Sequence, residues 1–251
     1  MAKKVCYTCI TGGYDNIPIH RYTDADWDYV LFTDNKELIK QRRVGFWQVR
    51  PLVVTKFGNV KNARWHKINA HKLFPDHKYS LWHDGNVSIQ NKNIFSIVNK
   101  LIDTGAKIAI PKHPFRKCIY QEAIEIKKLR IDTKRIVNRQ VRYLKQQSYP
   151  ENNGLCETNV IFREHNELKQ EMNDWWFVVQ KFSKRDQLSY NYIAWKYGLV
   201  TIPLYNKEGE HRTNGDFVFE YKQTHNQDKI NKKRFAILHR IFSVFKNRKK
   251  L

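Results

Sequence analysis

The chain has 251 residues, with 46 Lys and Arg against 24 Asp and Glu, and a formal charge of +22 at pH 7. Its 41% hydrophobic and 14% aromatic content is enough for a packed core and excludes a disordered chain. No run of about 18 uninterrupted apolar residues offers a spanning helix. The surplus of cations predicts attraction to polyanions, whether nucleic acid, anionic lipid or a phosphorylated substrate.

Cys6, Cys9, Cys118 and Cys156 are too scattered for a secreted disulfide framework and suit a reducing compartment. Cys6 and Cys9 have CxxC spacing, but in a strand residues three apart point to opposite faces, which argues against joint metal or redox use. The apolar run after Lys3 and Lys4 is broken by Thr8, Thr11 and two glycines and does not read as a signal peptide. A soluble or peripheral protein is expected.

Val5 to Ile10 is predicted as a buried strand ending in the turn Thr11-Gly12-Gly13-Tyr14-Asp15, and Tyr29 to Thr33 as a second strand ending at Asp34. Trp47 to Thr55 reads as a third strand, and Ala63 to Leu73 as one helix with Ile68 and Leu73 inward. Tyr79 to Trp82 is a strand that runs into Asp84-Gly85-Asn86. Further on, Ile94 to Asp103 is expected helical, Lys107 to Ile110 a strand, Tyr120 to Leu144 one or two charged helices, and Thr158 to Phe162 a strand. Trp175 to Phe182 and Leu188 to Lys196 read as helices around Ser183-Lys184-Arg185-Asp186-Gln187. The alternation implies an α/β protein with a largely parallel, helix-covered sheet. One domain, 1–226, is expected, followed by a basic tail, 227–251.

Ligands of open α/β sheets bind beyond the carboxyl ends of the strands, where three acidic or Gly-rich turns are expected. Gly12 and Gly13 let backbone N–H groups approach a ligand, or form an ordinary tight turn. Asp84 and Asn86 offer hard oxygen ligands for Mg²⁺ or Mn²⁺ beside phosphates, although Asp-Gly and Gly-Asn are also common turn dipeptides. Arg64 and Lys67, three apart on a helix, share a face that can reach phosphate oxygens or simply be solvated. His113, followed by Arg116, can bond a sugar hydroxyl or be a satisfied loop histidine. Asp186 and Gln187 can face a transferred sugar, with Ser183 or Asp186 alternatively capping the next helix. His211 can complete a metal shell through a ring nitrogen.

The ordered blocks Tyr7-Thr8-Cys9-Ile10-Thr11-Gly12-Gly13-Tyr14-Asp15, Phe32-Thr33-Asp34, Trp82-His83-Asp84-Gly85-Asn86, His113-Pro114 with Tyr120-Gln121-Glu122, and Arg185-Asp186-Gln187-Leu188-Ser189 resemble a family. It is the glycosyltransferase-like family formerly catalogued as a domain of unknown function, found in bacterial surface-polysaccharide loci and in plants. Their order is also similar to retaining GT-A enzymes of the blood-group galactosyl and N-acetylgalactosaminyl type. The resemblance implies a GT-A, Rossmann-like mixed sheet and metal-dependent transfer of a hexose-type sugar from a nucleotide-diphosphate donor, UDP-linked, to a lipopolysaccharide, capsule or related glycan or glycolipid acceptor.

By the same resemblance, Asp84 and Asn86 hold the metal, Mn²⁺ or Mg²⁺, His113 meets the acceptor, and Asp186 and Gln187 lie in the donor-sugar and catalytic region. The reading of the residues adds Thr11 to Asp15, Asp34, Arg64 and Lys67 on the donor, Arg116 and Glu122 on the acceptor, and His211 as a third metal ligand or a plain loop histidine. Two departures stand out: Asn86 replaces the second Asp, and Gln187 replaces a Glu. A glutamine cannot be a carboxylate nucleophile, so a retaining outcome implies same-face attack assisted by the leaving phosphate. An inverting one needs a carboxylate base, with Asp186 or Glu122 the first candidates.

From Lys229 to Leu251 there are nine Lys or Arg and no acid, with Phe235, Leu238, Ile241, Phe242 and Phe245 at helical spacing. This predicts an amphipathic helix that lies on an anionic membrane surface or docks on the domain. The protein is expected in the cytoplasm, peripheral on the inner face of the cytoplasmic membrane. A basic nucleic-acid-binding protein and a catalytically inactive sugar-binding module are the competing readings; the recurrence of acidic turns at strand ends argues against nucleic acid.

Overall fold

The computed structural model describes residues 3–220. The central strand β1 (Lys4–Ile10) shows how its sequence sets the architecture, because almost every residue is buried and successive side chains enter different cores. Val5, Tyr7 and Cys9 join one apolar cluster, while Cys6 and Ile10 join the other. The period-two geometry of a strand thus divides the protein into two packed layers, and Cys6 and Cys9 lie on opposite sides of the sheet.

After β1 come β2 (Trp27–Thr33), α1 (Lys36–Gln41), β3 (Arg43–Val44), β4 (Trp47–Pro51), α2 (Asn59–Ile68) and α3 (Ala70–Leu73). They are followed by β5 (Tyr79–His83), β6 (Val87–Ile89), α4 (Asn93–Asp103), β7 (Ile108–Ile110), α5 (Ile119–Lys128) and α6 (Lys134–Gln146). The described chain ends with β8 (Val160–Glu164), α7 (Lys169–Lys181), α8 (Tyr190–Lys196), β9 (Ile202–Pro203) and β10 (Phe217–Phe219). An eight-stranded sheet has the order β3-β4-β2-β1-β5-β8-β7-β9, and β10 pairs with β6 in a separate ribbon. The block β4-β2-β1-β5 is parallel throughout, whereas β8 runs antiparallel to both β5 and β7. Helices α2 and α5 to α8 cover one face, and α4 with the partly buried Leu38 and Ile39 of α1 covers the other.

The mainly parallel, helix-flanked mixed sheet is the architecture expected from the sequence. Several boundaries differ for local reasons. The third strand stops at Pro51, which has no N–H to continue the ladder. The single helix expected over Ala63 to Leu73 is broken at Asn69, whose φ of −96° and ψ of 44° leave the helical region while its side chain bonds Trp65 O. The strand expected from Thr158 begins at Val160, which frees Thr158 and Asn159 for the strand's end. The expected amphipathic tail, 227–251, lies outside the described residues. No helix among the described residues is long and apolar enough to cross a membrane.

Helix α2 ends inside the protein, so its last carbonyls need partners other than water. Arg163 of β8, fully buried, donates to Ile68 O at 3.2 Å and to Lys67 O at 2.7 Å. It also donates to the Tyr7 hydroxyl at 2.7 Å, and that hydroxyl donates on to Lys67 O at 2.9 Å and His66 O at 3.2 Å. A guanidinium at a helix C-terminus also opposes the negative end of the helix dipole. Two strands of the sheet therefore fix the axial position of α2. Removing one hydroxyl or the cation leaves buried acceptors unpaired. Tyr7→Phe should lower the unfolding free energy by about 1–2 kcal/mol and Arg163→Leu by about 3 kcal/mol or more, measured by urea titration.

Candidate functional site

Three strand ends and two helices converge on a buried group of charges. The turn after β1 is tied at both ends: Thr11 Oγ1 donates to Asn59 O at 2.9 Å, and Gly12 N–H donates to the Asp34 carboxylate at 2.8 Å. Gly12 has φ +61°, and a Cβ there would fall 2.0 Å from the Asn59 side-chain nitrogen, so only glycine lets this turn meet the start of α2. Gly85 is favoured by contact rather than by φ, since a Cβ would lie 2.9 Å from Asp15 Oδ2 and 3.0 Å from Ile10 Cγ1. The first turn and the Asp84-Gly85-Asn86 turn are thereby in contact.

Arg64 and Lys67 project from α2 between Asp84 and Asp186. Lys67 Nζ, with its side chain only 1% exposed, lies 2.6 Å from Asp186 Oδ2 and 3.1 Å from Asp84 Oδ1. Arg64 Nε is 3.0 Å from Asp186 Oδ1, and its Nη1 is 3.9 Å from Asp84 Oδ1. Thr158 Oγ1 donates to Asp186 Oδ2 at 2.8 Å and accepts from Lys67 at 3.3 Å. Burial by itself would raise the Asp186 pKa, but Arg64, Lys67 and Arg185 outweigh it and hold the carboxyl well below the usual range. Both Asp186 oxygens are engaged by cations, which makes this carboxylate a weak base and a poor nucleophile. Burial likewise disfavours the Arg64 charge, and the carboxylates of Asp186, Asp84 and Asp15 reverse that effect.

The Asp186 turn is held from behind. Trp175 Nε1 donates to Asp186 O and Ser189 Oγ, Gln140 bonds Ser183 N and Leu188 O, and Asp132 accepts from Ser183 Oγ and Lys184 N. Asp186 and Gln187 lie in a short 3₁₀ turn and are both buried. Neither the Ser183 nor the Asp186 side chain caps the helix that follows; Ser183 Oγ instead accepts Arg185 N–H.

His113 borders a second group of charges. Its Nδ1 faces the backbone N–H groups of Phe115 and Arg116, and its Nε2 lies 3.1 Å from Arg116 Nη2 and 3.9 Å from Glu122 Oε2, so both ring nitrogens meet N–H donors. Glu122 is clasped by Arg116 at 2.6 Å and approached by Arg185 at 4.0 Å, so the expected acceptor residues adjoin the Asp186 turn.

His211 pairs through Nε2 with Glu157 Oε2 at 3.0 Å, and Arg212 bonds the other oxygen of the same carboxylate. His211 Nδ1 is buried with no hydrogen-bond partner. Asn159 links this pair to the Asp84-Gly85-Asn86 turn: its carbonyl accepts Asp84 N–H at 2.8 Å, and its amide nitrogen is 3.4 Å from His211 Nε2. The contacts that Asp84 makes with Lys67, Arg64 and Trp82 all fall on Oδ1, so Oδ2 is the oxygen a cation would take. Thr158, Asn159, Glu157, Gln140 and Trp175 escape sequence reasoning, since each acts across at least 11 positions and none sits in a motif.

Across the sheet, Cys6, His20 and His83 offer ligand atoms within 4.8 Å of one another. Their hydrogen bonds argue against a metal cage. His20 Nδ1 accepts Ile89 N–H, which assigns the ring proton to Nε2, while His83 Nδ1 faces Asp84 O and must donate to it. The rings are complementary tautomers in an aromatic pocket with Phe46 and Trp47.

Burial also lowers the imidazoles of His66, His71, His83, His113 and His165 to about 4 and that of His20 to about 2. In the unfolded chain they titrate near 6.5. Between about 6.5 and 4 the unfolded state therefore binds more protons, so the stability is complete above pH 6.5 and is lost as pH falls toward 4. The urea midpoint should be flat above pH 7 and drop steeply across this window. A midpoint independent of pH there would contradict neutral burial of these rings.

A family model described as TOD1/MUCI70, glycosyltransferase-like domain, matches residues 7–213. Among curated proteins, the probable hexosyltransferase MUCI70 of Arabidopsis thaliana is 25% identical over 202 residues, 73% of this chain and 35% of its own length. The alkaline ceramidase TOD1 of Arabidopsis thaliana is 24% identical over 166 residues, 60% of this chain and 36% of its own. The chain thus spans about a third of these relatives. Among solved structures, apo mouse xyloside xylosyltransferase 1 aligns at TM-score 0.44 and 9% identity, covering 80% of this chain and 84% of its own. The apo WbbM bifunctional glycosyltransferase aligns at TM-score 0.46 and 12% identity, covering 80% and 38%.

Proposed function

Because this chain belongs to the TOD1/MUCI70 glycosyltransferase-like domain family, we propose that it moves a hexose-type sugar from a UDP-linked donor to a surface-glycan acceptor such as lipopolysaccharide or capsule. The observation that carries the reading is the charged set beyond the ends of β1 and β5, in which Lys67 and Asp186 are buried and Arg64 and Asp84 partly exposed. Arg64, partly exposed beside Asp84, is the cation offered to a diphosphate. Lys67, expected from the sequence to share that task, instead directs its three N–H groups to Asp186, Asp84 and Thr158 and positions them. The turn from Thr11 to Asp15, its Gly12 N–H held by Asp34, shapes the donor side. On this reading His113, with Arg116 and Glu122, forms the acceptor side.

Asp84 through Oδ2, Asn86 through its amide oxygen and His211 through Nδ1 are the groups fitted to hold Mn²⁺ or Mg²⁺. Such an ion, when bound, neutralises the diphosphate and stabilises it as the leaving group. The support is the orphaned Nδ1 of His211, whose opposite nitrogen is turned to a carboxylate in the manner of metal-bound imidazoles. Retention is favoured over inversion: Asp186 is too weak a base to activate an acceptor, Glu122 is neutralised by arginines, and Gln187 has no carboxylate. Asp186 then holds Lys67 and Arg64 in place and adds negative charge near the anomeric carbon. The reading has the work done at the cytoplasmic face of a membrane, where the free thiols of all four cysteines are stable.

Calorimetry with UDP in the presence and absence of Mn²⁺ tests the donor site. Metal-dependent UDP binding is expected, with Asp84→Ala abolishing it while circular dichroism still shows a folded chain, at a lower melting temperature because Lys67 and Trp82 lose an acceptor. Absence of UDP binding under both conditions would sink the donor reading, and equal binding under both would sink the metal. Glu157→Gln should weaken Mn²⁺ binding by about 10–100-fold, read by the paramagnetic resonance of free Mn²⁺; unchanged affinity would remove His211 from the shell.

A further inference from the structure

Helix α6 carries Lys134, Arg135, Arg139, Arg142 and Lys145 and no acidic residue. Its opposite face is the packed one, with Val137, Gln140 and Leu144 buried. The cations at 135, 139, 142 and 145 recur at the spacing of one helix face and form a row about 15 Å long at 1.5 Å rise per residue. The row continues onto α7, because Arg139 donates to Lys181 O and Lys181 Nζ lies 5.4 Å from the ring of Phe177. Phe177 is 53% exposed, whereas Phe182 and Tyr143 beside it are turned inward. Asp132, before α6, is occupied by Ser183 and Lys184, and Asp174, on the same face of α7 as Phe177 and Lys181, by Lys196 and Tyr197. The result is an uncompensated positive strip with one aromatic side chain standing out of it.

We infer that this face, the outer side of α6 with Lys181 and Phe177 of α7, docks on an anionic lipid bilayer. The physical fit is threefold. A straight row of long cationic side chains meets a plane of phosphates without bending either partner, and each cation gains from the negative surface potential of the leaflet. A half-exposed phenylalanine among them can enter the headgroup boundary, the combination that marks interfacial surfaces. A single-stranded nucleic acid would instead call for aromatics spaced to stack successive bases, and Phe177 is the lone outward aromatic of this strip among the described residues. Docking is also topologically useful, since Gln140, on the inner side of the same helix, holds the turn that carries Asp186 and Gln187. The bilayer contact is separate from the basic tail and stands whether or not sugar transfer does.

The test uses the full chain and large vesicles of phosphatidylcholine, with or without phosphatidylglycerol at about a third of the lipid. Neutralising one cation should cost about fivefold in partitioning, so R135Q/R142Q/K145Q should bind anionic vesicles about a hundredfold more weakly. Neutral vesicles should bind little of either protein. A partition coefficient within threefold of wild type overturns the inference. So does a variant that loses binding to a single-stranded oligonucleotide while keeping its vesicle binding, which would assign the strip to nucleic acid. As a readout that needs no variant, acetylation of Lys145 and Lys181 in the wild-type chain should be suppressed by anionic vesicles and not by neutral ones; equal labelling in both also overturns it.

Discussion

A single ammonium group buried between two carboxylates organises the candidate site. Lys67 is held in a position that water barely reaches, and isolating such a charge is costly unless it is paired. Asp186 supplies the pairing on one side and Asp84 on the other, so the end of β5 and the turn before α8 are tied to α2. The arrangement depends in turn on where α2 stops. Arg163 and Tyr7, from two strands of the sheet, receive its last carbonyls and thereby fix the depth at which Lys67 and Arg64 emerge. The charged site and the apolar core are stabilised by the same residues.

That dependence explains the chemistry available. A carboxylate whose two oxygens are each claimed by a cation loses basicity but gains a fixed position, and fixed charge is what stabilises a developing positive centre without reorganisation. Asp186 and Glu122, the carboxylates that an inverting mechanism would first call upon, are both held by arginine or lysine side chains. On the proposed reading, a glutamine at position 187 costs little, because Asp186 beside it already carries the negative charge.

Strand ends were legible in the sequence because their signals are local. Gly12, Asp34 and Asp84 each follow a short apolar run, and a turn after a buried strand of a parallel sheet points to one edge. The grouping of Arg64 with Lys67 was equally readable from helical spacing. The antiparallel insertion of β8 was not, since strand direction is set by the path of the chain and leaves no mark on a five-residue segment. Nor was the break at Asn69, where a side chain bonding back to Trp65 O competes with the helix. Thr158 reads as one more strand residue, and Glu157 belongs to no motif, because their partners lie 28 and 54 positions away.

The contact between Asp15 and Gly85 bears on how such a site can diverge. Gly85 has no unusual backbone angle to defend; it is small because Asp15 Oδ2 occupies the space a methyl group would need. Positions 15 and 85 therefore meet across two turns that are 70 residues apart, and a methyl group at 85 would push on both the Asp15 carboxylate and Ile10 Cγ1. A change at the second position of the tripeptide is thus felt in the opposite loop, so the two turns answer to one another although the chain between them holds four strands and three helices.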